Sequence, residues 1–292
     1  MENFILNCHK QVNAQLEKIL PAAEGSAQRL YSAIRYSMFN GGKRIRPLLC
    51  FGGACAVGEI DENTVKIAAS IEMMHAYSLV HDDLPAMDDD DLRRGKPACH
   101  IEYDEGTAIL VGDALQSLAY QQLTELDDLD PSVSLELIRI LTRGSGSQGM
   151  VSGQAIDLLA TGKQIDLPQL VEMHRLKTAA MIESAVLMGA VGTGKADESQ
   201  LMALKAFSTA IGVAFQIQDD ILDVESSTAE LGKKQGSDAQ SGKSTFTSLL
   251  GMESAQANVT ELFENSLGSL ESFGENADRL RSIANFIVTR NF

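Results

Sequence analysis

The stretch His81-Asp82-Asp83-Leu84-Pro85-Ala86-Met87-Asp88-Asp89-Asp90-Asp91-Leu92-Arg93-Arg94-Gly95 constrains this chain more than any other. Six carboxylates fall within ten residues, directly after an apolar segment, Thr64 to Val80, that reads as a buried helix. Carboxylates this close raise one another's pKa and repel unless cations sit among them. Asp is also a poor helix former. Any fold of this chain must therefore bring positive charge to the end of a core helix. Hard carboxylate oxygens in such a place suit Mg2+, which keeps several waters and completes its shell from a phosphate-bearing substrate. A solvated acidic loop is the alternative, and the rest of the chain argues against it.

A second acidic group strengthens the case. Glu198 to Val224 reads as one long helix on which Gln216, Asp219, Asp220 and Asp223 occupy i, i+3, i+4 and i+7. An amide and three carboxylates on one side of an otherwise apolar helix are costly to bury unless paired or bound to metal. In the first group, His75, Ser78 and Asp82 share one face of the Asp61–Asp82 helix. Asp82 and Asp88 are six positions apart, about 240° round a regular helix, and cannot share a face without a break. Pro85 supplies the reason for one, so the helix is expected to end there and return Asp88 toward Asp82.

Basic residues are few but clustered. The net charge is −16, which argues against nucleic acid and anionic membranes as partners. Lys43, Arg44 and Arg46 follow Asn40-Gly41-Gly42, and Arg93, Arg94 and Lys96 follow the Asp run. Glycines able to take positive φ, a helix start at Pro47 and several cations make a plausible diphosphate site. Lys177-Thr178 lies within a largely apolar segment, where the lysine must snorkel or meet an anion. Gly242-Lys243-Ser244-Thr245 resembles the end of a P-loop, but Ser237 stands where the motif needs Gly and no strand precedes it. A lid with lysines closing over an anion is the better reading of Thr228–Lys243, Lys233 included.

The remaining pattern is helical. Six prolines and long segments free of Pro and Gly favour helices over a sandwich or barrel. Helices are expected over 2–20, 26–39, 61–82, 106–124, 132–142, 148–160, 167–191 and 198–224, with two more after Met252. Asp127–Pro131 reads as a solvated acidic turn. No linker divides the chain, so a single all-α domain over 1–292 is expected. No apolar run reaches the roughly 18 residues needed to span a bilayer, and the N-terminus lacks a basic leader region. The four cysteines match no zinc or disulfide spacing, which suits reduced thiols in the cytoplasm.

Taken together, the motifs resemble those of the trans-isoprenyl diphosphate synthases. Asp82-Asp83-x4-Asp88 with Arg93-Arg94-Gly95, and Asp219-Asp220-Ile221-Leu222-Asp223, match the first and second aspartate-rich motifs of that family. Gly41–Pro47, His75, Gly153-Gln154-Ala155-x-Asp157, Lys177-Thr178 and Phe215–Asp220 match in the same order. Ala179 departs from the Gly that relatives often carry there. Within the family, the chain is most similar to the bacterial farnesyl diphosphate synthases.

The resemblance implies an all-α helical bundle around a deep central cavity (the isoprenoid synthase fold), usually a homodimer. It implies a prenyltransferase that condenses isopentenyl diphosphate with dimethylallyl diphosphate and then geranyl diphosphate, with three Mg2+. By resemblance, Asp82, Asp88 and Asp219 hold the metals, supported by Asp83 and Asp223. Arg93, Lys177, Thr178, Gln216 and Lys233 map to the allylic diphosphate site, and Lys177, Asp82 and Asp219 carry the catalytic burden. Lys43, Arg46, His75 and Arg94 map to the isopentenyl diphosphate site. Tyr77 and Ser78 are implied as the residues that set chain length, favouring a fifteen-carbon product. Geranyl or geranylgeranyl diphosphate synthesis on the same fold, and a non-catalytic partner subunit, are the competing readings.

Overall fold

A computed structural model describes residues 2–225 and 243–290. Several of its helices start at a short polar side chain that accepts from a free backbone N–H group. α1 (Glu2–Ile19), α2 (Gln28–Met38) and α3 (Ile45–Val57) precede α4 (Glu62–Asp82). Asp61 caps α4 by accepting from Thr64 N at 2.7 Å, in a reciprocal capping box. A hairpin (β1, Leu92–Arg93; β2, Lys96–Pro97) follows the Asp run. Then come the short α5 (Cys99–Glu102), α6 (Glu105–Thr124), α7 (Pro131–Ser145) and α8 (Met150–Ala160). α9 (Leu167–His174), α10 (Ala180–Gly192) and α11 (Glu198–Glu225) follow. Helices over Phe246–Leu250, Met252–Gly268 and Asp278–Thr289 close the chain.

Three elements depart from the sequence reading. Leu167–Val191 is not one helix: a π-helical turn at Arg175–Ala179 separates α9 from α10. Single π turns absorb one extra residue and recur at functional sites. The acidic turn after α6 is anchored rather than merely solvated. Asn63 Nδ2 donates to the Asp127 carbonyl at 2.7 Å, Asp127 N donates to Asn63 Oδ1 at 3.0 Å, and Lys66 pairs with Asp127. The hairpin was not foreseen, because two-residue strands leave no periodicity. Its turn, Arg94-Gly95, has φ of 56° and 75°, which matches the right-handed twist of the strands.

The main core is built from α1 to α4, α6, α7, α10, α11 and the helix Asp278–Thr289, with α4 packed along α6 and α3 along α10. A smaller apolar cluster of Leu170, Met173, Ile217, Ile221, Phe246, Ala255 and Val259 lies between α9, the end of α11 and the helices after residue 245. Among the described helices, α11 is the one long and apolar enough by length and composition to cross a bilayer. Here it packs against α10, the π turn and Met252–Gly268.

α3 and α10 meet backbone to backbone. A Cβ on Gly53 would lie 2.2 Å from the Val186 carbonyl oxygen, and one on Gly189 would lie 1.9 Å from that of Cys50. Neither obstacle is a flexible side chain. Gly189→Ala should therefore destabilise the protein by about 1–3 kcal/mol, read as a lower urea midpoint.

Candidate active site

α4 ends at Asp82, and the chain then turns through Pro85. Asp88 N donates to the Asp82 carbonyl at 2.9 Å, so the two residues are brought together as the spacing required. Asp82 is mostly buried, and burial pushes its pKa up to about 6. Lys177 opposes that shift, and the nearby Asp88 adds to it. Asp83 turns the other way. It is buried and accepts from Arg93, with Nε 2.9 Å from Oδ1, and Nη2 also pairs with it. Arg94, on the hairpin turn, donates to Asn40 Oδ1 at 3.0 Å and to the Gly41 carbonyl. Gly42 has φ of 114°, and a Cβ there would strike the Arg94 guanidinium at 2.4 Å. The Gly-Gly pair thus makes room for Arg94 as well as turning the chain.

The carboxylates of α11 divide the work. Gln216 and Asp219 face a cavity of about 360 Å³ that is also lined by Lys43, Asp157, His174, Lys177, Thr178 and Lys243. Asp220 also reaches this lining, but its Oδ2 accepts from Phe246 N at 2.7 Å and so anchors the chain that re-enters the fold there. Asp223 is buried one turn further on. Asp219 meets Arg290, whose Nη2 lies 2.5 Å from Oδ1 and whose guanidinium sits 3.8 Å over the Phe215 ring.

Lys177 does not snorkel. Its Nζ lies 2.6 Å from Asp157 Oδ2, in a pair that is largely buried. Lys243 Nζ lies 3.4 Å from Asp88 Oδ1 and 3.8 Å from Asp157 Oδ2. These contacts run from the first acidic motif across the mouth of the cavity to α8. Burial would raise the Asp157 pKa, yet Lys177 and Lys243 hold it below the ordinary carboxylate value. His174 stacks on Phe246 with ring centroids 5.6 Å apart, and burial lowers its pKa to about 4.

The π turn explains how Lys177 and Thr178, adjacent in sequence, both line the cavity. α8 presses on it: a Cβ on Gly153 would fall 2.1 Å from Lys177 N. Ala179 meets Gly212 of α11, where a Cβ would come within 2.6 Å of the alanine methyl, so a glycine there accommodates it.

Across from this wall, Arg46 Nη1 donates to His75 Nε2 at 3.1 Å. Burial, then Arg46, Arg94, Arg93 and Arg44, push the His75 pKa well below its usual value, so the ring is neutral and accepts. Lys43 also loses proton affinity, chiefly to burial and then to Arg290, with Asp219 opposing. Ser78 Oγ donates to the His75 carbonyl at 2.8 Å. Tyr77 is buried in the main core with its ring 5.5 Å from that of His81, edge to face. Lys233 lies outside the described residues.

Sequence reading gives no role to two participants. Asp157 stands in a matched motif without a role. Lys243, the last residue of the lid segment and the one that is described, lines the cavity as a lysine of that segment was expected to, but its carboxylate partners were not legible. Arg290 gave no signal at all, because a lone arginine near the end of an amphipathic helix looks like surface.

With this geometry in place, comparison with known proteins is direct. The polyprenyl synthetase family profile matches residues 27–285, and the chain belongs to that family. It is 43% identical over 281 residues to the farnesyl diphosphate synthase of Haemophilus influenzae, covering 96% of this chain and 95% of that one. It is 43% identical over 292 residues to the farnesyl diphosphate synthase of Escherichia coli, covering 97% of each. A geranyltransferase of Helicobacter pylori, crystallised with magnesium and isoprenyl diphosphate, superposes with a TM-score of 0.89. That enzyme is 36% identical, over 99% of this chain and 97% of its own. The fold is accordingly the all-α isoprenoid synthase fold.

The donor set fits Mg2+. Among the described residues, no three acidic, His or Cys side chains converge into a cage. Mg2+ does not need one, since one or two carboxylates suffice when substrate phosphates supply the rest. A mostly buried Asp82 beside Asp88 is a place where such a cation relieves repulsion.

The Asp82 shift has a testable sign. Its carboxyl holds its proton more tightly folded than free, between 3.8 and about 6. The folded state is then the stronger proton binder in that window, and stability from this group is lost as pH rises through it. In EDTA, Asp82→Asn should gain stability relative to the parent protein as pH climbs from 3.8 to about 6, measured by urea midpoints. A pH-independent difference would contradict the assignment.

Proposed function

We propose that this chain is a cytoplasmic, homodimeric, Mg2+-dependent prenyltransferase built as one all-α domain. It joins isopentenyl diphosphate to dimethylallyl diphosphate, then to geranyl diphosphate, and releases farnesyl diphosphate. The observation that carries the reading is the meeting of the two acidic motifs at one cationic cavity. Asp88 reaches its wall through Lys243, and Asp219 and Gln216 line it together with Lys177 and Thr178.

In this reading Asp82, Asp88 and Asp219 hold three Mg2+, with Asp83 and Asp223 supporting from behind. When bound, the metal supplies electrostatic stabilisation of a departing diphosphate. Arg93, Lys177, Thr178, Gln216 and Lys233 bind the allylic diphosphate, and their charges favour the negative oxygen left when its C–O bond breaks. The allylic fragment becomes a delocalised carbocation. Lys43, Arg46, Arg94 and neutral His75 hold the second diphosphate so that the double bond of isopentenyl diphosphate faces that cation. Its π electrons form the new C–C bond, and a proton leaves the adjacent carbon for the released diphosphate. Water must be kept from the cation, which it would quench.

The farnesyl end point rests on the family resemblance and on the farnesyl diphosphate synthases this chain is similar to. In this reading Tyr77, just over one turn before Asp82, floors the path for the growing chain, while the small Ser78 leaves room beyond ten carbons.

Purified protein given Mg2+, isopentenyl diphosphate and dimethylallyl diphosphate should yield a fifteen-carbon diphosphate by chromatography. Lys177→Ala should lower kcat by about 10²–10³. Tyr77→Ala should shift the products to longer chains and Ser78→Phe to shorter ones. Unchanged product lengths would remove both residues from that role.

A further inference from the structure

Arg44 and Glu72 take no part in the chemistry above, yet they form an ion pair with side chains only 6% and 2% exposed. Arg44 stands between Lys43 and Ile45 with φ of 49°, a left-handed backbone that residues with a Cβ disfavour. Its Nη1 lies 2.6 Å from Glu72 Oε1, and its Nη2 donates to the Met38 carbonyl at the end of α2 at 2.5 Å. Two positions further on, in the first turn of α3, Arg46 donates to His75, which is three residues beyond Glu72 on α4. Arg44 at the end of the loop and Arg46 at the start of α3 therefore grip residues 72 and 75 of α4. The two contacts close a ring through the backbone at each end.

Charge points the same way as geometry. Arg44, Arg46 and Arg94 gather on one side of α4, where burial weakens the hold of Arg46 and Arg94 on their protons. The Glu72 charge opposes that loss at both. The second Glu72 oxygen is buried without a hydrogen-bond partner. A carboxylate placed this way does more than hold two helices together, because hydrophobic replacement of such a pair is often neutral or better for stability.

We propose that the Arg44–Glu72 pair is a positioning device for the isopentenyl diphosphate site, pinning the junction of the Gly-Gly loop and α3 to α4 and balancing its guanidiniums from behind. The proposal rests on the reading of Lys43, Arg46, His75 and Arg94 as that site. With the pair intact, the loop cations are held facing an incoming diphosphate before it arrives. Without it, repulsion among the arginines is unopposed and the strained turn at Arg44 relaxes. The loss falls on one substrate and spares the other, whose described cations, Arg93 and Lys177, sit on the hairpin and the π turn.

The double variant Arg44→Met/Glu72→Met separates positioning from mere support. Its urea midpoint should stay near that of the parent, while KM for isopentenyl diphosphate rises about tenfold or more. KM for the allylic substrate should stay within about twofold, and kcat should fall by less than about threefold. Metal-free calorimetric titration with isopentenyl diphosphate should show the matching loss of affinity. Glu72→Gln, which keeps the shape and removes the charge, should show the same selectivity, and it carries the test if the double variant does not fold. Parental affinity in a folded variant, or an equal rise in both KM values, overturns the proposal. A parent protein that does not bind isopentenyl diphosphate overturns the site reading as well, which the parental titration reports separately.

Discussion

The structure depends on a set of charges that cannot be separated from water one at a time. Asp157 between Lys177 and Lys243, with Asp88 on the far side of Lys243, is the arrangement that makes the cavity tolerable. Opposite charges about 4 Å apart near a protein surface attract by about 4 kcal/mol, and losing one partner exposes the other to the cost of burial. This demand explains why helices distant in sequence end at the same place. α4 delivers the first carboxylates, α8 delivers Asp157, the π turn delivers Lys177, and α11 delivers Asp219. In the proposed reaction the same lysines exchange carboxylates for phosphate oxygens, so the empty and loaded sites are balanced by one set of cations.

The two proposed substrate sides are built on different supports. Lys43 and Arg94 belong to loops and Arg46 to the start of α3, gathered against α4, whereas Lys177, Thr178 and Gln216 belong to α11 and the turn before α10. What keeps these supports in register is the α3–α10 seam, where glycines let backbone meet backbone. A seam of flexible side chains would let the two diphosphate sites drift, and a bond-forming step between two bound molecules tolerates little drift.

Much of this was legible in the chain, and the part that was not has physical reasons. Helix positions followed from apolar spacing and from Pro and Gly breaks, and the structure adds Asp61, Asp104, Asp130 and Asp166, each of which caps the helix that follows it. The return of Asp88 to Asp82 followed from Pro85. The facing of Gln216 and Asp219 followed from helical arithmetic, but the anchoring of Phe246 by Asp220 did not, because the partner is a backbone N–H twenty-six residues away. Arg290 was invisible for a related reason: its meaning comes from the element it touches, not from its own. The π turn was hidden because its residues have ordinary helical propensity, and the distortion is imposed by α8 and α11 pressing on either side.

That turn has a genetic consequence. A π turn is one residue more than a regular helix needs, so it is an insertion that packing has retained. Deleting one residue anywhere in Arg175–Ala179 would heal the helix locally. The same deletion would leave the flanking helices in phase, because the extra residue is absorbed within the turn. What would change is the turn itself: on a regular helix adjacent residues diverge by about 100°, so Lys177 and Thr178 would no longer both face the cavity. Reading frames that keep length through this segment are therefore under a constraint that no single side chain records.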